Sequence, residues 1–232
     1  MSNYLAIAAV TMTLRDLLEE EANPIVSGAR VTTLRPEKAA DGADKRKGAN
    51  IFLYQVTPNA AWRNQEIISH YPGVSGPDNR TRGTVGKSQP VALNLQYLLS
   101  FYGDEATLEP QRLLGSALAA LQRYARLPVD RIAQAITDHA FLRGKGADNK
   151  TDLPAESYLD FQAKFVEQVR LTPISLNLEE LSKLWSVFFQ VPYTLSVAYE
   201  AAVVLIEAQP PRVVPVVLVP PQPTVGPEVP QP

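Results

Sequence analysis

Hydrophobic and polar positions alternate in blocks whose period switches between about 3.6 and 2 residues, the signatures of helix and strand. Residues 3–21 place Tyr4, Ile7, Val10 or Thr11, Leu14, Leu17 and Leu18 on one side, predicting a helix that ends before Pro24. Val31–Arg35 reads as a short strand, and Asn50–Thr57 as a better one after a charged, glycine-containing loop over Pro36–Gly48. Val91, Leu93, Leu95, Tyr97, Leu99 and Phe101 then alternate with Ala92, Asn94, Gln96, Leu98 and Ser100, predicting a long strand. Pro110 and Pro128 each suit the first position of a helix. The first of these helices would bury Leu113 or Leu114, Ala117, Leu121 and Tyr124, and the second Val129, Ile132, Ala133 and Ile136. Arg143–Pro154 is polar and loop-like, and a further strand is expected over Val166–Thr172.

The block from Pro173 to Glu207 is the most tightly specified. Asn177 and Glu180 stand at the spacing of a reciprocal N-terminal cap, and Leu176 and Leu181 occupy the flanking staple positions. Leu178, Leu181, Leu184, Trp185 and Phe188 recur at three- and four-residue spacing, giving an apolar helix face that Pro192 terminates. From Tyr193 the period becomes two, with Tyr193, Leu195, Val197 and Tyr199 on one side and Thr194, Ser196, Ala198 and Glu200 on the other. Beyond Ala201 both sides are apolar (Val203, Val204, Leu205, Ile206), so the end of this strand is expected to be covered on both faces.

The resulting order α-β-β-β-α-α-β-α-β lacks the regular alternation of a doubly wound fold. It predicts an α+β domain over residues 1–207: a mixed or antiparallel sheet of about five strands with helices packed on it. A proline-rich extended tail is expected over 208–232.

Composition narrows the function classes. The formal net charge of −2 and sequence pI near 5.8 argue against a nucleic-acid binder, which would carry a basic excess. The absence of cysteine excludes disulfide scaffolds and thiolate zinc sites and fits a cytoplasmic product. No apolar run approaches the roughly 18–20 residues of a membrane span, and Arg15, Asp16 and Glu19 interrupt the apolar N-terminus where a signal peptide would be uniform.

Candidate chemistry is sparse. Gly83–Ser88 resembles the end of a phosphate-binding loop, but the Walker spacing needs glycine at 81, where Thr81 stands, and the segment precedes a strand instead of opening a helix. His70 and His139 are the two histidines, with no HxH or HxxxH spacing, so neither a metal nor another cofactor is expected. Glu19-Glu20-Glu21 reads as a solvated helix end. No G-x-S-x-G nucleophile elbow occurs, and the chain reads as a non-enzyme.

Two segments instead suggest partner binding. Pro58–Gln89 is long, polar and without clear period, which is unusual inside a compact domain. It carries Trp62, Arg63, Tyr71, Arg80, Arg82 and Lys87, residue types that anchor protein interfaces. Residues 208–232 hold nine of the chain's 20 prolines, which disfavours helix or central strand. Yet the segment from Arg212 through Val214, Val216 and Leu218 to Val219 is too apolar for a free linker. It is expected to dock on a neighbouring subunit or partner, with strand addition as one mode.

The segments IFLYQVTPNAAWRN (Ile51–Asn64), LNLQYLLSFYG (Leu93–Gly103), ELSKLW (Glu180–Trp185) and LSVAYE (Leu195–Glu200) resemble one family in particular. It is that of the cap, or tail-terminator, proteins of phage-tail-like extracellular contractile injection systems of the antifeeding-prophage and virulence-cassette type. The resemblance covers roughly residues 4–207. It implies a homo-hexameric ring on the distal end of the inner tube that ends tube and sheath polymerisation and anchors the last sheath layer. The implied partners are its own copies, the tube protein and the sheath protein, with no nucleic acid and no membrane, in a released extracellular particle. The reading from a different class is an adaptor that recruits a partner through its proline-rich tail.

Overall fold

The computed structural model describes residues 5–36, 47–62, 67–71, 84–88, 91–139, 142, 169–188 and 191–206. Its elements are α1 (Ala6–Ala22), β1 (Arg30–Thr32), β2 (Gly48–Pro58), β3 (Ile67–Tyr71), β4 (Thr84–Ser88), β5 (Val91–Tyr102), α2 (Glu109–Arg123), α3 (Val129–Asp138), β6 (Arg170–Ile174), α4 (Leu178–Ser186) and β7 (Ser196–Ile206). Five strands form one sheet in the order β1-β2-β5-β7-β6. Only β1 and β2 run parallel; the other pairs are antiparallel, so the sheet is mixed and the fold is α+β.

The long strand β5 sits at the centre because its two faces serve two cores. Leu95, Tyr97, Leu99 and Phe101 point into the main core, where Leu14, Leu17 and Leu18 of α1, Leu113 and Leu121 of α2, and Ile132 and Ile136 of α3 cover them. Burying each such side chain stabilises the fold by about 1.5–3 kcal/mol. Tyr97 is fully buried, and its hydroxyl lies 2.9 Å from Thr11 Oγ1, which supplies the partner that a buried phenol needs. Burial pushes that phenol's pKa upward, and the bond to Thr11 opposes the shift only in part.

On the opposite face Leu98 meets Trp185 and Phe188, with Phe52 and Phe188 in edge contact at 5.4 Å. Helix α4 docks there as its cap predicts. Asn177 Oδ1 accepts from Glu180 N at 2.8 Å, and Glu180 Oε2 accepts from Asn177 N at 2.9 Å. Leu178 is a correction to the predicted face: at the first position of the helix it points to solvent, 84% exposed. Tyr193 is another. β7 begins only at Ser196, and Tyr193 packs against Trp185 at 5.6 Å instead of alternating in the sheet. The two-faced burial at the end of β7 is as expected, with Val203, Val204 and Leu205 all buried.

Further differences are local. β1 is shorter and earlier than Val31–Arg35, and β6 lies later than Val166–Thr172. The polar segment Pro58–Gln89 is not uniformly loop: β3 and β4 pair antiparallel as a separate two-stranded sheet, Ile67 opposite Ser88 and Tyr71 opposite Thr84. The phosphate-loop-like residues Thr84–Ser88 are thus strand.

Candidate interaction surfaces

Of the residues singled out from sequence, Trp62 is the one whose side chain is described. It ends a short 3-10 turn, Ala60–Trp62, that comes after β2, and packs on Ala92, Val203 and Leu205. A chain of amides holds the turn. Asn59 Oδ1 accepts from Ala61 N (3.0 Å) and Trp62 N (3.3 Å), while Asn59 Nδ2 donates to Asn94 Oδ1 at 2.8 Å. The same Asn94 oxygen lies 3.5 Å from the N–H of Val203, where β7 bulges and Val203 takes φ 64. A β-branched residue there is strained by about 1–3 kcal/mol, and the bulge gives Trp62 its ledge.

Tyr71 and Lys87 lie in the β3–β4 ribbon but are not brought together: Tyr71 pairs with Thr84, and Lys87 with Ile68, near the other end. Arg63, Arg80, Arg82, Arg212, Val214, Val216 and Leu218 lie outside the described residues. So does the proline-rich segment that carries the last four.

Glu19-Glu20-Glu21 is more than a solvated helix end. Glu19 pairs with Arg15 (3.0 Å) and Arg30 (3.3 Å), Glu20 with Arg131 (2.9 Å), and Glu21 with Arg123 (2.6 Å). Arg112 Nη2 adds a bond to the Ile25 carbonyl (2.6 Å), and His139 Nε2 lies 2.8 Å from Asp16 Oδ2. These contacts tie the C-terminal half of α1 to α2, α3 and β1. Exposed pairs are each worth under about 1 kcal/mol, so they fix orientation more than they stabilise. The hydrogen bond to Glu20 raises the Arg131 pKa further. A cleft of about 320 Å³ lies between α1 and α3, lined by Asp16, Glu19, Glu20, Arg131 and His139 among others. The sequence signal for this clamp was limited to the i,i+4 spacing of Arg15 and Glu19.

Both edges of the main sheet are closed. On β6, Leu171 N donates to Ala125 O and Leu127 N donates to Val169 O, both at 2.8 Å. The next outward-facing position is Pro173, which has no N–H to offer. On β1, Arg15 Nε donates to the Val31 carbonyl at 3.2 Å. β1 is only three residues long, and beyond it Leu34 N and O turn inward to the Asn50 amide of β2, donating to it and accepting from it, both at 3.0 Å. These are recognised ways of preventing edge-to-edge pairing. The described helices stop short of one end of the sheet, where Val56 and Val91 are 42% and 51% exposed.

Among the described residues no group of His, Asp and Glu is placed to hold a metal ion, and no helix is long and apolar enough to cross a membrane. No curated protein sequence matches the chain. The fold is similar to that of the PVC sheath/tube terminator of an extracellular contractile injection system in its extended state, with a TM-score of 0.52 and 14% identity over 97% of this chain. The match takes in 63% of that protein, so the chain spans under two thirds of its length. The tube-terminating cap of the anti-feeding prophage also matches, with a TM-score of 0.48 and 14% identity over 83% of this chain and 53% of that one. The sequence itself matches the Pvc16 N-terminal domain over residues 9–218, nearly its full length, and the chain belongs to that family.

Proposed function

We propose that this protein is a structural terminator of a contractile injection system, a non-enzymatic ring seated on the end of the inner tube that stops tube and sheath growth. The family match over residues 9–218 carries the reading, and the fold it shares with a sheath/tube terminator supports it. In this reading the subunits assemble into a homo-hexamer, contact tube and sheath proteins, and leave the cell as part of the particle. Trp62, Arg63, Tyr71, Arg80, Arg82 and Lys87, with Arg212, Val214, Val216 and Leu218, are its partner-binding residues.

The closed sheet edges suit this role. A subunit that ends a polymer must not itself seed strand-by-strand growth, and a heterologous interface closes into a ring when its rotation allows. The test is removal of the gene from a producing strain, with particles imaged by negative stain. Tubes and sheaths of uncontrolled length, restored by the gene in trans, are expected. Complete particles of normal length without it would overturn the proposal.

A further inference from the structure

At the end of the sheet that the described helices leave bare, Val56 of β2 lies diagonal to Leu93 of β5, and Val91, two positions along β5, pairs with Ile206; Val56 and Val91 are exposed, while Leu93 and Ile206 are partly buried against the main core. This apolar strip crosses β2, β5 and β7, about 10 Å at the usual strand spacing. Ile206, the last described residue of β7, lies in the strip itself. Beyond it the sequence runs through Glu207–Arg212, with Pro210-Pro211 inside that spacer, into Val-Val-Pro-Val-Val-Leu-Val over 213–219. The family match continues to residue 218 and so takes in all but the last residue of this run. Six valine and leucine side chains in seven positions require cover.

The closed edges decide how that cover is made. β6 is covered along its outer side, β1 is only three residues long with its Val31 carbonyl taken, and Pro215 and Pro220 remove donors from the run, so main-chain pairing with the main sheet is disfavoured. Side-chain packing of an extended proline-containing arm on an apolar face needs no such row. The spacer decides whose face. Six residues around a Pro-Pro pair favour extended geometry of about 3.1 Å per residue, roughly 19 Å in all. That reach extends to a neighbouring copy, while the Pro-Pro pair disfavours the tight reversal needed to return to the strip beside Ile206. We infer that the apolar run 213–219 of each subunit docks on the Val56–Leu93–Val91–Ile206 strip of the next copy, making the arm-on-strip contact the head-to-tail joint of the ring. The inference rests on the ring reading above.

The experiment uses the full chain at several concentrations in mass photometry, as wild type, as V91R and as V216D/L218D, with circular dichroism confirming the fold of each. Val91 is half exposed, so arginine there is accommodated in the folded subunit. Wild type is expected as rings near six times the 25.4 kDa subunit, and each variant is expected to weaken association at least tenfold. Mixing the two variants should restore pairs but not rings, because one partner retains an arm and the other a strip. Rings that persist in either variant would overturn the arm-on-strip joint while leaving the ring standing. Failure of the mixed variants to pair would do the same. A wild type that stays a single subunit at every concentration and on isolated tubes would remove the ring reading and this joint with it. In a chain carrying both Val91→Cys and Val216→Cys, a disulfide formed on oxidation within one subunit in preference to between subunits would overturn the assignment to the next copy.

Discussion

Replacing Gly48 by alanine should detach β1 from the sheet. Gly48 opens β2 with φ +140, opposite Arg30, and a Cβ there would lie 1.8 Å from the Arg30 carbonyl oxygen and 2.7 Å from its nitrogen. Those atoms are backbone, held in the parallel pair by the bond from Arg30 N to Lys47 O at 2.9 Å, so no side-chain rotation relieves the clash. Separating the strands costs that bond, about 1 kcal/mol, and part of the burial of Val31, about 1.5–3 kcal/mol for a full side chain. The backbone conformation adds about 1–3 kcal/mol for any L residue. The sum is at least about 3 kcal/mol, or roughly 6–12 °C in Tm for a chain of this size. Gly28 provides the control. It has φ +78 but no heavy atom within 4 Å of an added Cβ, so G28A carries the backbone term alone, about 1–2 kcal/mol. Urea denaturation of both variants, monitored by tryptophan fluorescence and circular dichroism, gives the comparison. If G48A costs no more than G28A, the steric account of the β1–β2 junction is wrong.

Three further perturbations test other parts of the fold. Asn50 is fully buried, accepts from Thr32 Oγ1 (2.7 Å) and Leu34 N and donates to Leu34 O; N50L should therefore destabilise by about 2–4 kcal/mol in the same assay. Leu108 precedes α2 at φ 56 with its side chain half exposed, so L108G should stabilise by about 0.5–1 kcal/mol as strain relief outweighs glycine's added unfolded-state entropy. The Glu109 carboxylate is held below its usual range, first by Lys47 Nζ at 2.8 Å and then by Asp104 N–H at 2.8 Å. Its folded pKa is depressed, so its contribution is present above the unfolded value of 4.5 and fades as pH falls through the folded one. E109Q should lose less stability than wild type across that acid range, measured by urea midpoints at a series of pH values.

The features legible in the sequence were local ones. The α4 cap needs only Asn177 and Glu180, three positions apart, and the β5 alternation needs only its own residues. Contacts between distant segments were not legible. Glu20 and Glu21 look like solvated charges until folding brings Arg131 and Arg123 to them from over a hundred positions away. The β3–β4 ribbon hid for a related reason: among the described strands its two five-residue strands pair with each other, and Ser69, His70, Gly86 and Lys87 leave no run of alternation. Tyr193 kept the strand period but lies before the first sheet pairing of β7, where the face of Trp185 is the nearer apolar partner. At the candidate surfaces the sequence drew attention to Trp62 as an aromatic residue in a polar segment. The support beneath it was unreadable, because Asn59 and Asn94 look like generic turn and strand residues until the bulge at Val203 gives them a shared task.

The closed edges change how the proline-rich arm should be understood. From sequence alone, an apolar run between prolines is compatible with strand addition to any open sheet. In this fold β6 is covered by Ala125–Leu127 and interrupted by Pro173, while β1 is only three residues long and its Val31 carbonyl is taken by the Arg15 guanidinium. Strand addition would have to displace these bonds, each worth about 1 kcal/mol, before gaining its own. Packing on the exposed Val56 and Val91 displaces only water. The two modes also differ in consequence for a proposed terminator. An arm that extends a sheet leaves a new edge on which the next strand can grow, whereas an arm that fills a side-chain strip consumes the surface it binds. In the proposed ring each added subunit brings one new strip, so addition ends only where the rotation between copies lets the last arm reach the first strip.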